Sequence, residues 1–162
     1  MRYNLAKLEG SGLLGDWLWP TNGHSGVDIY VDDSNEGGDG PTDGTRYTRW
    51  ATSAGNNPGL VKQIDGGKTQ VFTGLTGLRA GIMRNVTVYL PLWNKVEAMA
   101  IGTVPGEGTL PVQRPPPSPA AGRVVWYGTS IMHGAAASRP GVGWVNQAER
   151  MLNMDSVNLG VG

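Results

Sequence analysis

Few residues in this sequence could start a reaction. There is no cysteine, so disulfides and thiolate metal sites are excluded, and the compartment's redox state leaves no trace. The serine that stands out is Ser130, in Tyr127-Gly128-Thr129-Ser130-Ile131, directly after the apolar run Arg123-Val124-Val125-Trp126-Tyr127. A serine in a Gly-flanked turn after a buried strand stands at the carboxyl end of a parallel sheet, where α/β ligand sites form, and is placed to act as a nucleophile. The same position suits a helix N-cap, whose hydroxyl would satisfy an orphan amide. Gly134 and Pro140 count against that reading, because both weaken or stop a helix begun at Ser130. The motif is not an α/β-hydrolase elbow, since that turn needs glycine two residues after the serine and here the residue is Met132.

A serine hydroxyl needs a base. The two histidines are His24, in the loop segment Asn22-Gly23-His24-Ser25, and His133, three residues after Ser130. One helical turn could bring His133 near the hydroxyl, but no carboxylate is spaced to orient its ring; it otherwise reads as a polar residue at the rim of the site. Asp32-Asp33-Ser34-Asn35-Glu36-Gly37-Gly38-Asp39 invites a calcium test, which it fails. Counting from Asp33, glycine stands at the fifth position (Gly37) and at the twelfth (Gly44), where a bidentate Glu is needed, so the segment reads as a solvated hairpin loop. Asp28 lies inside a strand pattern and is expected to bond a neighbouring turn rather than to catalyse. Trp17, Trp19, Trp50 and Trp93 could stack on sugar rings or simply pack a core.

The elements that must position these residues change character along the chain. Up to about residue 110, short apolar runs broken by Gly, Asn, Asp and Pro read as a β domain. In Gly26-Val27-Asp28-Ile29-Tyr30-Val31 the residues Val27, Ile29 and Val31 share a face; from Asn85 to Leu92, Val86, Val88, Leu90 and Leu92 do the same. Such alternation predicts one buried face each, as in a sandwich. Val96 to Gly102 is a further strand candidate. The proline-rich stretch 111–122 then denies both ladder and helix and reads as a linker. Beyond it, 123–127 reads as a strand buried on both faces, Gly143 to Leu152 as a helix with Trp144, Val145, Ala148, Met151 and Leu152 on one side, and Ser156 to Leu159 as a second strand. A strand, helix and strand unit opens a parallel sheet but cannot be a domain alone, so the chain reads as ending early.

Three separated segments, in order, resemble one family. Val125-Trp126-Tyr127-Gly128-Thr129-Ser130-Ile131-Met132-His133-Gly134 followed by Ala137-Ser138-Arg139-Pro140-Gly141 is similar to the first block of a bacterial-type SGNH (GDSL-type) hydrolase subfamily. Gly26-Val27-Asp28-Ile29-Tyr30 resembles the Gly-x-Asp-Leu-Tyr signature of the β-sandwich that precedes those hydrolases, and Tyr89-Leu90-Pro91-Leu92-Trp93-Asn94 resembles its Leu-Pro-Leu-Tyr-Asn strand end. The resemblance implies that Ser130 attacks an ester carbonyl, with the oxyanion held by backbone amides and an Asn side chain. The Ser130 amide would be one donor. In the family pattern Asn-Leu-Gly-Phe-Ser-Gly the second donor is the last glycine, so Asn158-Leu159-Gly160-Val161-Gly162 stops one residue short and Gly162 is at best a substitute. The third donor has no counterpart, since Asn56 and Asn57 sit in a turn of the β domain. The family's base lies in an Asp-x-x-His motif, and neither His24 nor His133 has Asp three residues before it.

The expected architecture is thus β plus α/β: a jelly-roll-like β-sandwich over 1–110, lacking one or more of its first strands, a linker over 111–122, and over 123–162 the first unit of a flavodoxin-like SGNH domain. The expected activity of the family is hydrolysis of a small-molecule or carbohydrate ester, without metal or organic cofactor, and the isolated chain is expected to be inactive. The rival is a non-catalytic sandwich module binding glycan or protein, with a remnant hydrolase segment. Composition limits the partners further. Lys plus Arg and Asp plus Glu each number 13, so no net field favours nucleic acid or an anionic membrane. No run approaches the roughly 20 apolar residues of a membrane span, and the N-terminus lacks the basic and apolar regions of a secretion signal, which leaves localisation open.

Overall fold

The structure, a computed structural model, describes residues 2–5, 26–32, 48–54, 61–64, 69–72, 81–93, 96–114 and 122–161. Residues 33–47, Asn56, Asn57, His24, Trp17, Trp19, residues 115–121 and Gly162 lie outside the described residues.

Among the described residues seven strands make two antiparallel sheets. β1 (Arg2–Leu5), β4 (Val61–Ile64), β5 (Thr69–Phe72) and β7 (Val96–Ala100) form one, in the order β4-β5-β1-β7; β2 (Val27–Asp32), β3 (Thr48–Ala54) and β6 (Val86–Tyr89) form the other, in the order β3-β2-β6. In the second sheet the central strand β2 sets Asp28 opposite Tyr89 and Tyr30 opposite Thr87. Its register against β3 shifts between Ile29 and Tyr30, an irregularity of the kind a bulge produces.

β2 departs from its sequence pattern in an informative way. Val27, Ile29 and Val31 are buried as the alternation predicts, but so are Asp28, at 0% exposure, and Tyr30, at 5%. The second face is covered by the turn around Pro140, so a strand that reads as half-solvated is central and enclosed on both sides. β6 is shorter than its pattern. It ends at Tyr89, before Pro91, which has no amide to give a ladder, and Val86 and Leu90 are exposed rather than lining a buried face.

After residues 111–114, which are exposed and in neither helix nor strand, the chain changes class. β8 (Arg123–Gly128) and β9 (Asp155–Gly160) pair in parallel, with Val125 opposite Val157 and Tyr127 opposite Leu159. Between them run α1 (Ser130–His133), a 3₁₀ turn (Pro140–Val142) and α2 (Trp144–Leu152). The sequence expectation that β8 is buried on both faces is not met: Val125 and Tyr127 are 59% and 78% exposed, while the Trp126 face is covered by α2 through an edge-on contact with Trp144, ring centroids 5.1 Å apart. α2 corrects the pattern as well. Of its five apolar residues only Val145 is buried, and Trp144, Met151 and Leu152 are exposed, because among the described residues a two-stranded sheet offers α2 a narrow surface to cover. Asn153 closes the helix in the left-handed region, its amide returning to Arg150 O. Among the described residues no helix is long and apolar enough to cross a membrane.

Candidate active site

Ser130 is the first residue of α1, at the carboxyl end of β8. The N-cap is Thr129, in extended geometry and without a side-chain capping bond, so the N-cap reading of Ser130 gives way. Position also decides the Ser130 amide. At the head of a helix an N–H has no intrahelical acceptor, and among the described residues no group takes this one. Gly134 ends the helix after one turn, at φ 111°, a left-handed conformation that glycine takes without strain.

Three carbonyls of this single turn are engaged. Ser130 O accepts from the amides of Gly134 and Ala135, Ile131 O from Gly134 N and from Trp144 Nε1, and Met132 O from Asn158 Nδ2. An isolated four-residue helix would not persist, since nucleation costs more than one turn returns. Here α2 and β9 supply side-chain donors that hold it.

His133 does not serve Ser130. Its Nδ1 faces Gly160 O at 2.9 Å and its Nε2 faces Leu92 O, while its ring lies 4.3 Å from the Trp93 ring, tilted by 31°. Both ring nitrogens face backbone carbonyls of other segments and not the Ser130 hydroxyl, so the general-base reading of His133 fails on geometry. The residue joins the last turn of α1 to the segment after β6. Trp93 consequently packs against the His133 ring.

A second junction forms around Asp28. Arg139 Nη1 lies 2.8 Å from Asp28 Oδ2 and donates to Tyr30 Oη at 2.9 Å, and the Gly141 amide donates to the same Asp28 oxygen at 2.8 Å. The expectation that Asp28 bonds a turn is met, and the turn belongs to the other half of the chain. Burial works against the Arg139 charge, but hydrogen bonds to Tyr30 and Asp28 and the Asp28 charge outweigh it and raise its pKa above the ordinary arginine value. Arg150 adds a cation over the Tyr30 ring at 4.1 Å and the Tyr89 ring at 5.1 Å, and the two tyrosines meet edge-on at 5.4 Å. A Cβ on Gly141 would run into the Tyr30 ring and come within 2.8 Å of Asp28 Oδ2, so only glycine lets the turn approach β2 this closely.

Beside these junctions lies a groove of about 410 Å³, with Tyr89, Leu92, His133, Asn146, Glu149 and Asn158 on its walls; Ser130 is not among them. Glu149 is half-buried there. Burial raises its pKa above the usual carboxylate range, the charge of Asp155 adds to this, and the hydrogen bond from Ser156 Oγ, 3.1 Å away, opposes it. A carboxyl with a raised folded pKa binds more protons folded than unfolded, so stability falls as pH rises from the ordinary Glu value, about 4.3, through the folded pKa. Glu149→Gln keeps an acceptor for Ser156 and removes the penalty. Its melting temperature is expected to exceed that of the unaltered protein at pH 7, with the gap closing below about pH 4; thermal melts across that range decide it.

Comparison with known proteins now bears on Ser130. Residues 121–162 match the GDSL-like lipase/acylhydrolase family. Over that segment, about a quarter of the chain, the sequence is similar to the GDSL-like hydrolases. A solved structure assigned as a GDSL-like lipase, from Bacteroides ovatus, superposes with a TM-score of 0.60 at 20% identity, over 98% of this chain and 38% of its own length. The likeness is therefore one of fold, and this chain spans well under half of that neighbour. No curated protein matches. The match begins just before β8 and contains the whole β8–α1–α2–β9 unit, so the GDSL-like segment is the part of the chain that carries Ser130.

The GDSL-like segment also contains residues whose roles sequence reasoning left unassigned. Arg139, Trp144 and Asn158 hold the Ser130 turn or its continuation; Arg139 and Asn158 stood in recognised motifs, and Trp144 did not. A signal for Arg139 was present: a carboxylate at position 28 among buried apolar neighbours requires a partner.

Proposed function

We propose that Ser130 is the nucleophile of an ester hydrolase. The observation that carries this reading is its place at the head of α1, at the carboxyl end of parallel strand β8, inside the segment matched to the GDSL-like family. The Ser130 hydroxyl attacks the ester carbonyl, and the Ser130 amide is a first donor to the tetrahedral oxygen. Gly162 stands as a weak second donor. The substrate is a small-molecule ester, with acylated carbohydrate as the finer reading, and neither metal nor organic cofactor enters the chemistry. In domain terms, residues 1–110 act as a jelly-roll-like sandwich, 111–122 as a linker and 123–162 as the opening of the hydrolase domain.

Among the described residues no histidine accepts the Ser130 proton, so the 162 residues alone are expected to show no appreciable turnover of an activated acetate ester. A fluorophosphonate needs one attack and no deacylation, and so reports the nucleophile without turnover. Slow labelling that is lost in Ser130→Ala supports the hydrolase. A folded chain that takes no label, or equal labelling in Ser130→Ala, leaves the non-catalytic glycan- or protein-binding module as the better description. Rapid, Ser130-dependent ester turnover would overturn the expected inactivity and return His133 to consideration.

A further inference from the structure

We propose that Arg139 and His133 are positioning residues of the hydrolase, tying the two ends of the Ser130–Gly141 segment to a single sheet, β3-β2-β6. This rests on Ser130 being the nucleophile. At one end, Arg139 and the Gly141 amide are held by Asp28 and Tyr30 of β2; at the other, His133 meets Leu92 O, three residues past the end of β6. The two anchors are not independent, because β2 and β6 are hydrogen-bonded neighbours with Asp28 opposite Tyr89. One rigid sheet therefore fixes the span between them.

The segment between the anchors behaves as a chain held at both ends. Gly134 packs on Leu92, where an added Cβ would come within 3.1 Å of the leucine methyl. Ala136, two residues on, sits at φ 62°, a left-handed conformation unfavourable for alanine. Such strain persists only where the surroundings over-determine it. The chemistry of the anchor points the same way. Packing alone would be served by apolar residues at 28, 30 and 139, whereas a fully buried carboxylate costs more than it returns unless it fixes an orientation. The N-terminal sheet is then part of the active-site framework and not an appended binding module.

The test compares amide hydrogen exchange and Ser130 fluorophosphonate labelling in the whole chain. In Arg139→Ala the Gly134 and Ala135 amides, which donate to Ser130 O, are expected to exchange about tenfold faster or more, the effect of losing a charge-assisted hydrogen bond. The Val161 amide, bonded to Gly128 O beside the same nucleophile, is expected to keep its rate. Labelling should slow in parallel, and ethylguanidinium in solution should restore both, since Arg139 is 24% exposed and the guanidinium site is reachable. His133→Ala is expected to free the same two amides. If Arg139→Ala does not fold, Tyr30→Phe removes one anchor hydroxyl and should give the same pattern at smaller amplitude. Equal acceleration at Val161, no change at Gly134 and Ala135, or failure of rescue would overturn the proposal. A chain that takes no label in any form removes the hydrolase reading instead, and the exchange pattern still decides whether the sheet holds the segment.

Discussion

Gly160→Ala is expected to lower the unfolding free energy by about 3 kcal/mol, the upper end of what overpacking a close contact costs. A Cβ at this position would press on the His133 amide nitrogen and lie 2.7 Å from His133 Cα and 2.8 Å from the Met132 carbonyl carbon. These are backbone atoms, so no rotamer change relieves the clash. Nor can α1 retreat, because its carbonyls are bonded to Trp144, Asn158 and the Gly134 turn and His133 is engaged on both nitrogens. Gly102→Ala provides the control, as a Cβ there meets nothing within 4 Å and the change is expected to stay within about 0.5 kcal/mol. Urea denaturation of the two variants separates the cases: a shift of the midpoint in Gly160→Ala without a change in slope is expected.

Arg139→Ala is expected to cost about 3–5 kcal/mol, the penalty for leaving one member of a buried ion pair without its partner. Asp28 is fully buried, so removal of the guanidinium takes a cation from a buried carboxylate to which the Gly141 amide still donates. Asp28→Ala should cost less on the charge side, because Arg139 is partly exposed and can be hydrated, although Gly141 N then loses its acceptor. The double variant should cost less than the sum of the singles, with a coupling of about 1–3 kcal/mol expected for residues in direct contact. Additive costs in a double-mutant cycle would show that the two side chains act separately.

How much of this was legible in the sequence depends on the range of the interaction. The strands at 27–32 and 155–160, the helix at 144–152 and the placement of Ser130 after a strand follow from short-range pattern, and the structure has them within a residue or two. Burial was less legible. Val125 and Tyr127 read as core from their own composition, but burial depends on what lies across the sheet, which a strand's sequence does not encode. Tyr30 read as the solvent face of an alternating strand for the same reason, and is enclosed because residues more than a hundred positions away dock on it. His133 shows a further limit. Its spacing from Ser130 is that of a helical neighbour, yet its ring turns to Leu92 and Gly160, because two part-buried carbonyls are stronger claims on an imidazole than proximity in sequence.

The central claim is that Ser130 is the nucleophile, and peptide mapping after fluorophosphonate treatment of the folded chain tests it most directly. A single adduct on the peptide containing Tyr127-Gly128-Thr129-Ser130, absent from Ser130→Ala, is the expected result. An adduct on another serine, or none on a chain shown to be folded, would contradict it.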